Sequence, residues 1–449
     1  MKTIIVPVFD TFIARNIFRT DVVKILKERG FRVVILPPKG KADYYEKEFG
    51  GDGVIIEKDP CWKHDRLEFI FTGLYLHSIP TKFMRIRQVD WYWHKKKYLH
   101  YFGASILRML GHVLTWRKFL MLCNNLEPIP EHVKHIFDKW NPDAVFAPTM
   151  IPREEVALMR LAKAKGKVTI GMFKSWDNPT SKAFIRIAPD WIICHNEIMV
   201  EEAVSLYDYP REKMFISGIP QYDEYIKPDF LEPRDSFFKN LGLSGKEKLI
   251  LYAPAGDWMN ENDKETLSIL LESLDKGELP HAKVLLRLHP AYKSGTEELK
   301  GHPLLVVERP GKHVDDNLKN VEFEEEEMRH LASSLAYCDV LINTASTLSI
   351  EAAIYDKPVI LLGFDGNKKL DYWKSVIRYY DREHYVPIVK SGGARLVKSK
   401  SEFISAMREY LEHPETDRAN RARMVKEECF VLDGKAGERI GKFIAEKVK

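Results

Sequence analysis

Three short stretches in the second half of the sequence place phosphate-binding residue types at the ends of β-patterned runs. The first is KVLLRLHPAY, residues 283–292, where an apolar run that reads as a strand buried on both faces ends in Arg287, Leu288, His289 and Pro290. Proline cannot continue a ladder and restricts the preceding residue to extended backbone. His289 is thereby fixed in direction, with an imidazole able to donate to a phosphate oxygen, and Arg287 offers a planar fork to the same anion. Each also has a plainer reading, His289 as a loop cap and Arg287 as a solvated strand-end residue. The second stretch is DVLINTASTLSIE, residues 339–351. A strand opens into a hydroxyl-rich turn at 343–347 and then into a helix, so unpaired backbone N–H groups join the Ser346 and Thr347 hydroxyls at a helix start. Glu351 falls one turn further in, placed to accept hydrogen bonds from ribose hydroxyls. An ordinary N-cap has the same appearance, with Ser346 or Thr347 capping and Glu351 favoured by the helix dipole, and the two readings are compatible. The third is LYAPAGDW, residues 251–258, where Pro254 and Gly256 let backbone approach a ligand closely.

These stretches need strands to carry them, and the whole chain supplies a pattern of alternating β-rich runs and helical stretches, the signature of βα units and parallel sheets. The first half contributes TIIVPV, RVVIL, GVII, AVFA, VTIGM, WIICH and MFIS; the second contributes LILYA, KVLLRL, LLVVE, DVLIN and PVILL. Between the two series, residues 227–248 are rich in charge, Pro and Gly without a strand pattern, and read as a linker. The expected fold is α/β, with two Rossmann-like, doubly wound parallel-sheet domains facing a central cleft. Residues 1–226 form the first domain, 249–415 the second, and 416–449 a set of helices packing back across both. In such folds ligands meet the carboxyl ends of the strands, which is where all three stretches lie.

At 449 residues, with 45% hydrophobic and 30% charged residues, the chain is long enough for two cores and has a soluble protein's composition. No apolar run approaches the roughly 18 residues that cross a bilayer, and MKTIIVPVFDTF lacks a signal-peptide pattern, so a cytoplasmic chain is expected. Five scattered cysteines, Cys61, Cys123, Cys194, Cys338 and Cys429, suggest neither a disulfide framework nor a zinc site. The net charge of +4 is unevenly placed, because residues 81–120 hold nine Lys or Arg against one Asp. This segment belongs to a basic, aromatic insert over about 81–127, with Trp91, Trp93 and Trp116 beside Lys95, Lys96 and Lys97. It reads as a surface for anionic membrane at the inner face, as a groove for a glycan or lipid-linked acceptor, or as a helical hairpin whose rings pack inward while its lysines are solvated. Nucleic acid is not indicated, since no recognised binding module accompanies the patch.

Taken together, LILYAPAG, VLLRLHP and DVLINTASTLSIEAAIYDKPVI resemble the nucleotide-binding half of GT-B superfamily glycosyltransferases. More narrowly, they are similar to CDP-glycerol glycerophosphotransferases and to bacterial capsule and surface-polysaccharide transferases; the His-Pro and Ser/Thr motifs also resemble those of CMP-sialic-acid and Kdo transferases. The resemblance implies that His289, Ser346 and Thr347 hold the donor's nucleotide phosphate and that Glu351 meets the ribose. SWDNPTSKAFIRIAPDWIICH and FISGIPQYDEY resemble the end of the first domain in relatives that include UDP-N-acetylglucosamine 2-epimerases, which implies that Asp177, Asn178 and Ser181 face the cleft. The turn at 343–347 departs from the Asp-Tyr-Ser-Ser type usual in the glycerophosphotransferases. No acidic pair sits at a strand end, Asp315 and Asp316 falling in a charged loop, so metal-independent chemistry without a cofactor is expected. In PVFDTFIARN, Asp10 follows the first strand and reads equally as a general base or as an Asx-turn residue.

The expected activity is transfer of a sugar or polyol phosphate from a CMP-, CDP- or UDP-linked donor to a surface-glycan or lipid-linked acceptor, in cell-envelope polysaccharide biosynthesis. Two rivals differ in what they turn over. A 2-epimerase acts on a nucleotide sugar without any acceptor, and a non-catalytic GT-B module binds nucleotide or carbohydrate and releases it unchanged.

Overall fold

The computed structural model describes residues 1–8, 12–38, 40–58, 66–182, 185–313, 321–322 and 324–448. Seven strands of the first half, apolar on both faces, form one parallel sheet: β1 (Lys2–Pro7), β2 (Phe31–Leu36), β3 (Val54–Ile56), β4 (Ala144–Ala147), β5 (Val168–Met172), β6 (Trp191–Cys194) and β7 (Met214–Ile216). Their order is β3-β2-β1-β4-β5-β6-β7, so the winding reverses between β1 and β4. One face is closed by the helix Asp21–Glu28 and by the last helix of the chain, Ala436–Lys447, whose Ile440, Phe443 and Ile444 are buried in the same core as Ile4, Val6 and Val33. Close approach of these two helices depends on Gly441, because a Cβ there would stand 2.7 Å from the Ile25 Cβ. Phe443 stacks on Phe215 at 4.2 Å and 7°. The start of the last helix is satisfied by Asp223, which accepts the Ala436 and Gly437 N–H groups at 3.0 and 2.8 Å.

Between β3 and β4 the chain leaves the sheet for a helical excursion: Arg66–His77, Lys82–Gln88, Tyr98–Leu110, Leu114–Leu126 and Glu131–Trp140. Part of it has its own small core of Tyr75, Ile79, Met84 and Leu120. No helix among the described residues is long and apolar enough to cross a membrane.

The second sheet is built from β8 (Lys248–Ala253), β9 (Ala282–Arg287), β10 (Leu305–Glu308), β13 (Val340–Asn343), β14 (Val359–Leu362) and β15 (Arg395–Val397); β11 (Lys312–His313) and β12 (Val321–Glu322) make a separate antiparallel pair. Its order is β10-β9-β8-β13-β14-β15, all parallel, with the reversal between β8 and β13. Its core joins Ile250, Tyr252, Val284, Leu286, Ile342 and Ile360 to the helices Asp263–Asp275 and Lys400–Glu412. The sixth strand, three residues without an apolar run, carries no sequence pattern strong enough to announce it.

Two boundaries differ from expectation. The chain divides into one unit of Met1–Asp223 with Cys429–Lys449 and a second of Glu224–Glu428. Residues 227–248 are therefore not a free linker: the helix Arg234–Asn240 buries Phe237 and Phe238, Phe237 lies 5.3 Å from the Tyr337 ring, and the Glu232 N–H donates to Ser333 Oγ at 2.9 Å. Charge and proline on either side masked this apolar pair. Of residues 416–449, the helix Arg418–Cys429 begins in the second unit, where buried Arg421 donates to Asp356 Oδ1 at 2.9 Å, and Ala436–Lys447 belongs wholly to the first. Replacing Gly441→Leu should overpack the helix pair and cost about 1–3 kcal/mol of unfolding free energy, read from denaturant unfolding; unchanged stability would mean that the contact with Ile25 is not close in solution.

Candidate functional site

Where the winding of the second sheet reverses, Ala253 and Asn343 lie side by side at the ends of β8 and β13. Adjacent strands leave in opposite directions there, so their loops bound a crevice, the usual ligand position in open α/β sheets. Three loops meet at this edge: 254–262 after β8, 288–293 after β9 and 343–347 after β13. They are joined by identifiable contacts. The Asp257 N–H donates to the Lys293 carbonyl at 2.6 Å. Gly256 has φ +87°, and a Cβ on it would come within 2.7 Å of the Tyr292 Cβ, so glycine is required both by conformation and by proximity. Asn260 Nδ2 donates to Asp263 Oδ1 at 2.8 Å and reaches Thr344 Oγ1 at 3.4 Å.

His289 is half-buried just past β9. Its Nδ1 accepts the Ala291 N–H at 3.0 Å, which leaves the proton of the neutral ring on Nε2. Burial, with the Arg309 charge nearby, lowers its pKa to about 4. The ring is therefore neutral at pH 7 and yet presents a donor. Among the described residues Nε2 has no hydrogen-bond partner. Tyr292 packs against the ring at 4.8 Å, and the His289 carbonyl accepts from Arg309 Nη1 at 3.0 Å. Pro290 follows in an ordered bend, as its effect on the ladder requires.

The turn after β13 is held from inside. Asn343 Oδ1 accepts the Ser346 N–H at 3.3 Å, and its Nδ2 donates to Ser349 Oγ at 3.0 Å. The Tyr385 hydroxyl, 2.9 Å from Ser349 Oγ, donates to the Ser346 carbonyl at 3.2 Å. Ala345 takes φ +45°, an uncommon conformation for a residue with a Cβ, and it turns the chain into the helix Leu348–Ile354. Ser346 Oγ accepts the Leu348 N–H at 3.3 Å, whereas Thr347 stands at the helix start without capping it, its side chain half-exposed.

Two expected donor contacts are placed differently. Arg287 does not offer its guanidinium to an anion. It is buried and bound to Glu308 on the neighbouring strand and Glu327 on the helix Glu325–Tyr337, and Glu308 continues to His330 Nε2 at 2.8 Å. A buried cation with two carboxylates is already neutralised, so a further phosphate has little to gain from it. Glu351 is buried, and its Oε2 accepts the Tyr225 hydroxyl at 2.6 Å, while Tyr225 stacks on Tyr355 at 5.8 Å.

Asp10 and Cys61 of the first unit lie outside the described residues, as do Asp315 and Asp316 of the second. Asp177, Asn178 and Ser181 lie just beyond β5. Asp177 is half-exposed and bound to Lys182 at 3.0 Å, and Ser181 Oγ donates to its carboxylate at 3.0 Å. Asn178 and Ser181 are fully buried, and neither polar atom of the Asn178 amide has a partner among the described residues. Three further groups at this edge were not singled out in the sequence. Lys174, two residues past β5, is half-buried and lowered to about 7 by burial and by Lys182. His195 follows β6, where burial lowers it to about 4. Glu155 accepts the Met150 N–H, the Thr149 hydroxyl and the Thr149 N–H at 2.7, 2.9 and 3.2 Å, and burial still pushes its carboxyl up to about 8.

In the basic insert, Lys95, Lys96, Lys97 and Trp93 are exposed. Trp91 is not fully at the surface: Arg87 lies over its ring at 4.5 Å and His77 meets its edge at 6.1 Å. Among the described residues no group of three or more His, Cys, Asp or Glu side chains is placed to hold a metal ion.

Two doubly wound parallel-sheet units, the second with its loops gathered at the switch point, make up a GT-B fold. Solved structures with the same fold include a putative UDP-N-acetylglucosamine 2-epimerase from Listeria monocytogenes (TM-score 0.57, 14% identity, 99% of this chain and 96% of that one). The UDP-GlcNAc 2-epimerase from Neisseria meningitidis bound to UDP-GlcNAc gives 0.55 and 13%, over 99% and 100%. The wall teichoic acid polymerase TagF gives 0.52 and 14%, over 100% and 89%. A search of curated protein sequences finds no match. Residues 175–446 match the family described as CDP-Glycerol:Poly(glycerophosphate) glycerophosphotransferase, and the chain belongs to that family.

The Glu155 carboxyl supplies a test of the first unit's loop. Folded, it titrates near 8, and unfolded near 4, so between those values the native state holds the extra proton and stability falls as pH rises from about 4 to 8. Glu155→Gln removes this contribution. In thermal melts the difference between variant and wild type should shift in the variant's favour from pH 5 to pH 8.5; a constant difference would mean that Glu155 ionises normally.

Proposed function

We propose that this transferase moves a polyol phosphate, of the glycerol phosphate kind, from a CDP-linked donor to a hydroxyl-bearing acceptor at a membrane surface. The observation that carries the reading is His289, a neutral imidazole whose tautomer is set by the Ala291 N–H so that Nε2–H, without a partner among the described residues, is left as a donor just past the carboxyl end of β9. Attack by the acceptor oxygen on the phosphorus bearing the polyol forms one P–O bond and breaks the one to CMP, which leaves with the electron pair. Charge builds on the departing phosphate. A hydrogen bond already oriented toward it stabilises the transition state without reorganisation. The Ser346 and Thr347 turn, held by Asn343 and Tyr385, serves as the second contact to the diphosphate, and Pro254 and Gly256 let the 254–262 backbone close on it. Glu351 is buried on the Tyr225 hydroxyl, so any part it takes in holding the ribose is indirect. In the first unit, Asp10, which lies outside the described residues, and Asp177, Asn178 and Ser181 are the groups proposed to handle the acceptor hydroxyl. His289→Ala should weaken CDP binding by about tenfold to a hundredfold, the worth of a hydrogen bond to a charged group. Isothermal titration checks this, and equal affinities in the variant and the wild type would remove His289 from the site. Release of CMP from CDP-glycerol only when acceptor is present supports transfer; conversion of UDP-GlcNAc without acceptor would point instead to an epimerase.

The membrane part of the reading rests on the helices Tyr98–Leu110 and Leu114–Leu126. Leu99, Met109 and Leu122 are 87%, 65% and 61% exposed, and Phe102, Ile106, Val113 and Phe119 are exposed with them. Leu99, Phe102, Ile106 and Met109 follow helical spacing and share one face. Each such side chain gains about 1.5–3 kcal/mol on full burial, so leaving this many in water forgoes an amount comparable to the whole net stability of a domain, about 5–15 kcal/mol. Lys95, Lys96 and Lys97 beside Trp93 add the cations and interfacial ring that favour anionic headgroups. The triple replacement Leu99→Ser, Phe102→Ser, Ile106→Ser should abolish co-sedimentation with phosphatidylglycerol vesicles, and Lys95→Gln with Lys96→Gln and Lys97→Gln should make the remaining binding insensitive to salt. No sedimentation of the wild type would assign the face to another protein or a glycan.

A further inference from the structure

The donor loops converge on a residue that the sequence presents as an ordinary first-turn acid. Asp263 opens the helix Asp263–Asp275 and is fully buried. Its carboxyl accepts the Gly256 N–H at 3.2 Å and Asn260 Nδ2 at 2.8 Å. Gly256 in turn lies so close to Tyr292, which packs on His289, that a Cβ on it would stand 2.7 Å from the Tyr292 Cβ. Through Asn260 it reaches Thr344, at the start of the turn after β13. One side chain thus links all three loops that carry the proposed donor contacts, from a position where it touches no solvent.

We infer that Asp263 is the positioning residue of the donor site, that it sets the 254–262 loop against the other two, and that donor affinity depends on its carrying a proton. The inference rests on the donor reading of this edge. Burial supports the protonated form, raising the carboxyl to about 8 against the hydrogen bonds that favour the anion. Ionisation would place an unneutralised negative charge beneath a loop that receives a diphosphate, and the donor would be repelled. The groups facing Asp263 do not compete for this role. From β8, the Tyr252 hydroxyl donates to the Asp263 carbonyl at 3.1 Å; from the turn Val376–Asp381, Tyr380 lies within its field; both phenols are held well above their ordinary value by burial. Lys368 is engaged by Asn262 Oδ1 at 2.8 Å, and on the same helix Glu265 accepts from Asn367 Nδ2 at 2.9 Å. His289, lowered to about 4, is neutral throughout the range concerned.

The test is CDP binding by isothermal titration between pH 7 and pH 9, above the ionisation of a terminal phosphate near 6, with wild type, Asp263→Asn and Asp263→Ala. Wild-type affinity should fall by about five- to tenfold across this range, as linkage to a single proton requires. In Asp263→Asn, which cannot ionise, affinity should not vary with pH. Asp263→Ala should bind weakly at every pH, with a folded melting transition and a donor KM raised far more than kcat is lowered. A wild-type pH dependence that persists in Asp263→Asn overturns the inference while leaving the donor reading intact. If the folded wild type binds no CDP at any pH, the donor reading fails and the inference falls with it.

Discussion

Where the order of a parallel sheet reverses, two neighbouring strands send their chains away in opposite directions, and the backbone N–H groups of the departing loops have no ladder to join. Everything at the ligand edge of the second unit depends on how those groups are satisfied. Here side chains from the following helix and from the strand end itself do it. Asp263 takes Gly256 N–H after β8, and Asn343, braced by Ser349 and Tyr385, takes Ser346 N–H after β13. Because a buried donor left unpaired costs about 1–3 kcal/mol, these bonds fix the loops, and fixed loops can present donors to a ligand without first paying to order them.

The first unit solves the same problem with the same device. After β4, at its own reversal, Glu155 folds back onto the Met150 and Thr149 N–H groups, much as Asp263 does in the second sheet. Both carboxyls are fully buried, and both are pushed up to about 8. Each unit thereby places a proton-holding acid directly under the loop that borders its crevice. The helical excursion between β3 and β4 is a different kind of element. It keeps Tyr75, Ile79, Met84 and Leu120 for a small core of its own and leaves a row of large apolar side chains outside, which distinguishes it from the rest of the unit.

How much of this was legible in the sequence follows from which forces act locally. Strands buried on both faces read as apolar runs, so twelve of the strands in the two large sheets, with their grouping into two series, are visible; β15 is not, because Arg395–Val397 has neither the length nor the composition. His289 stands out because Pro290 constrains it. Arg287 beside it was misread, since its partners Glu308 and Glu327 come from another strand and a distant helix, and only the β9–β10 register brings Glu308 opposite. Asp263 and Glu155 look like acids favoured by a helix dipole, and nothing in their spacing reveals that they turn inward. The basic, aromatic insert reads from sequence equally as a membrane or acceptor surface and as a hairpin packing inward, because the exposure of its apolar side chains is a property of tertiary structure. Phe237 and Phe238 illustrate the converse, a buried pair hidden in a polar stretch.

The central claim is that the crevice edge formed by the loops after β8, β9 and β13 binds the donor's diphosphate. Hydrogen–deuterium exchange of the full chain with and without CDP measures it most directly, because the backbone amides of those loops report their own ordering. The account expects slowed exchange concentrated at residues 254–262, 288–293 and 343–349, with the apolar strands behind them unchanged. Protection absent from these three segments under saturating CDP, or confined to residues of the first unit, would contradict it.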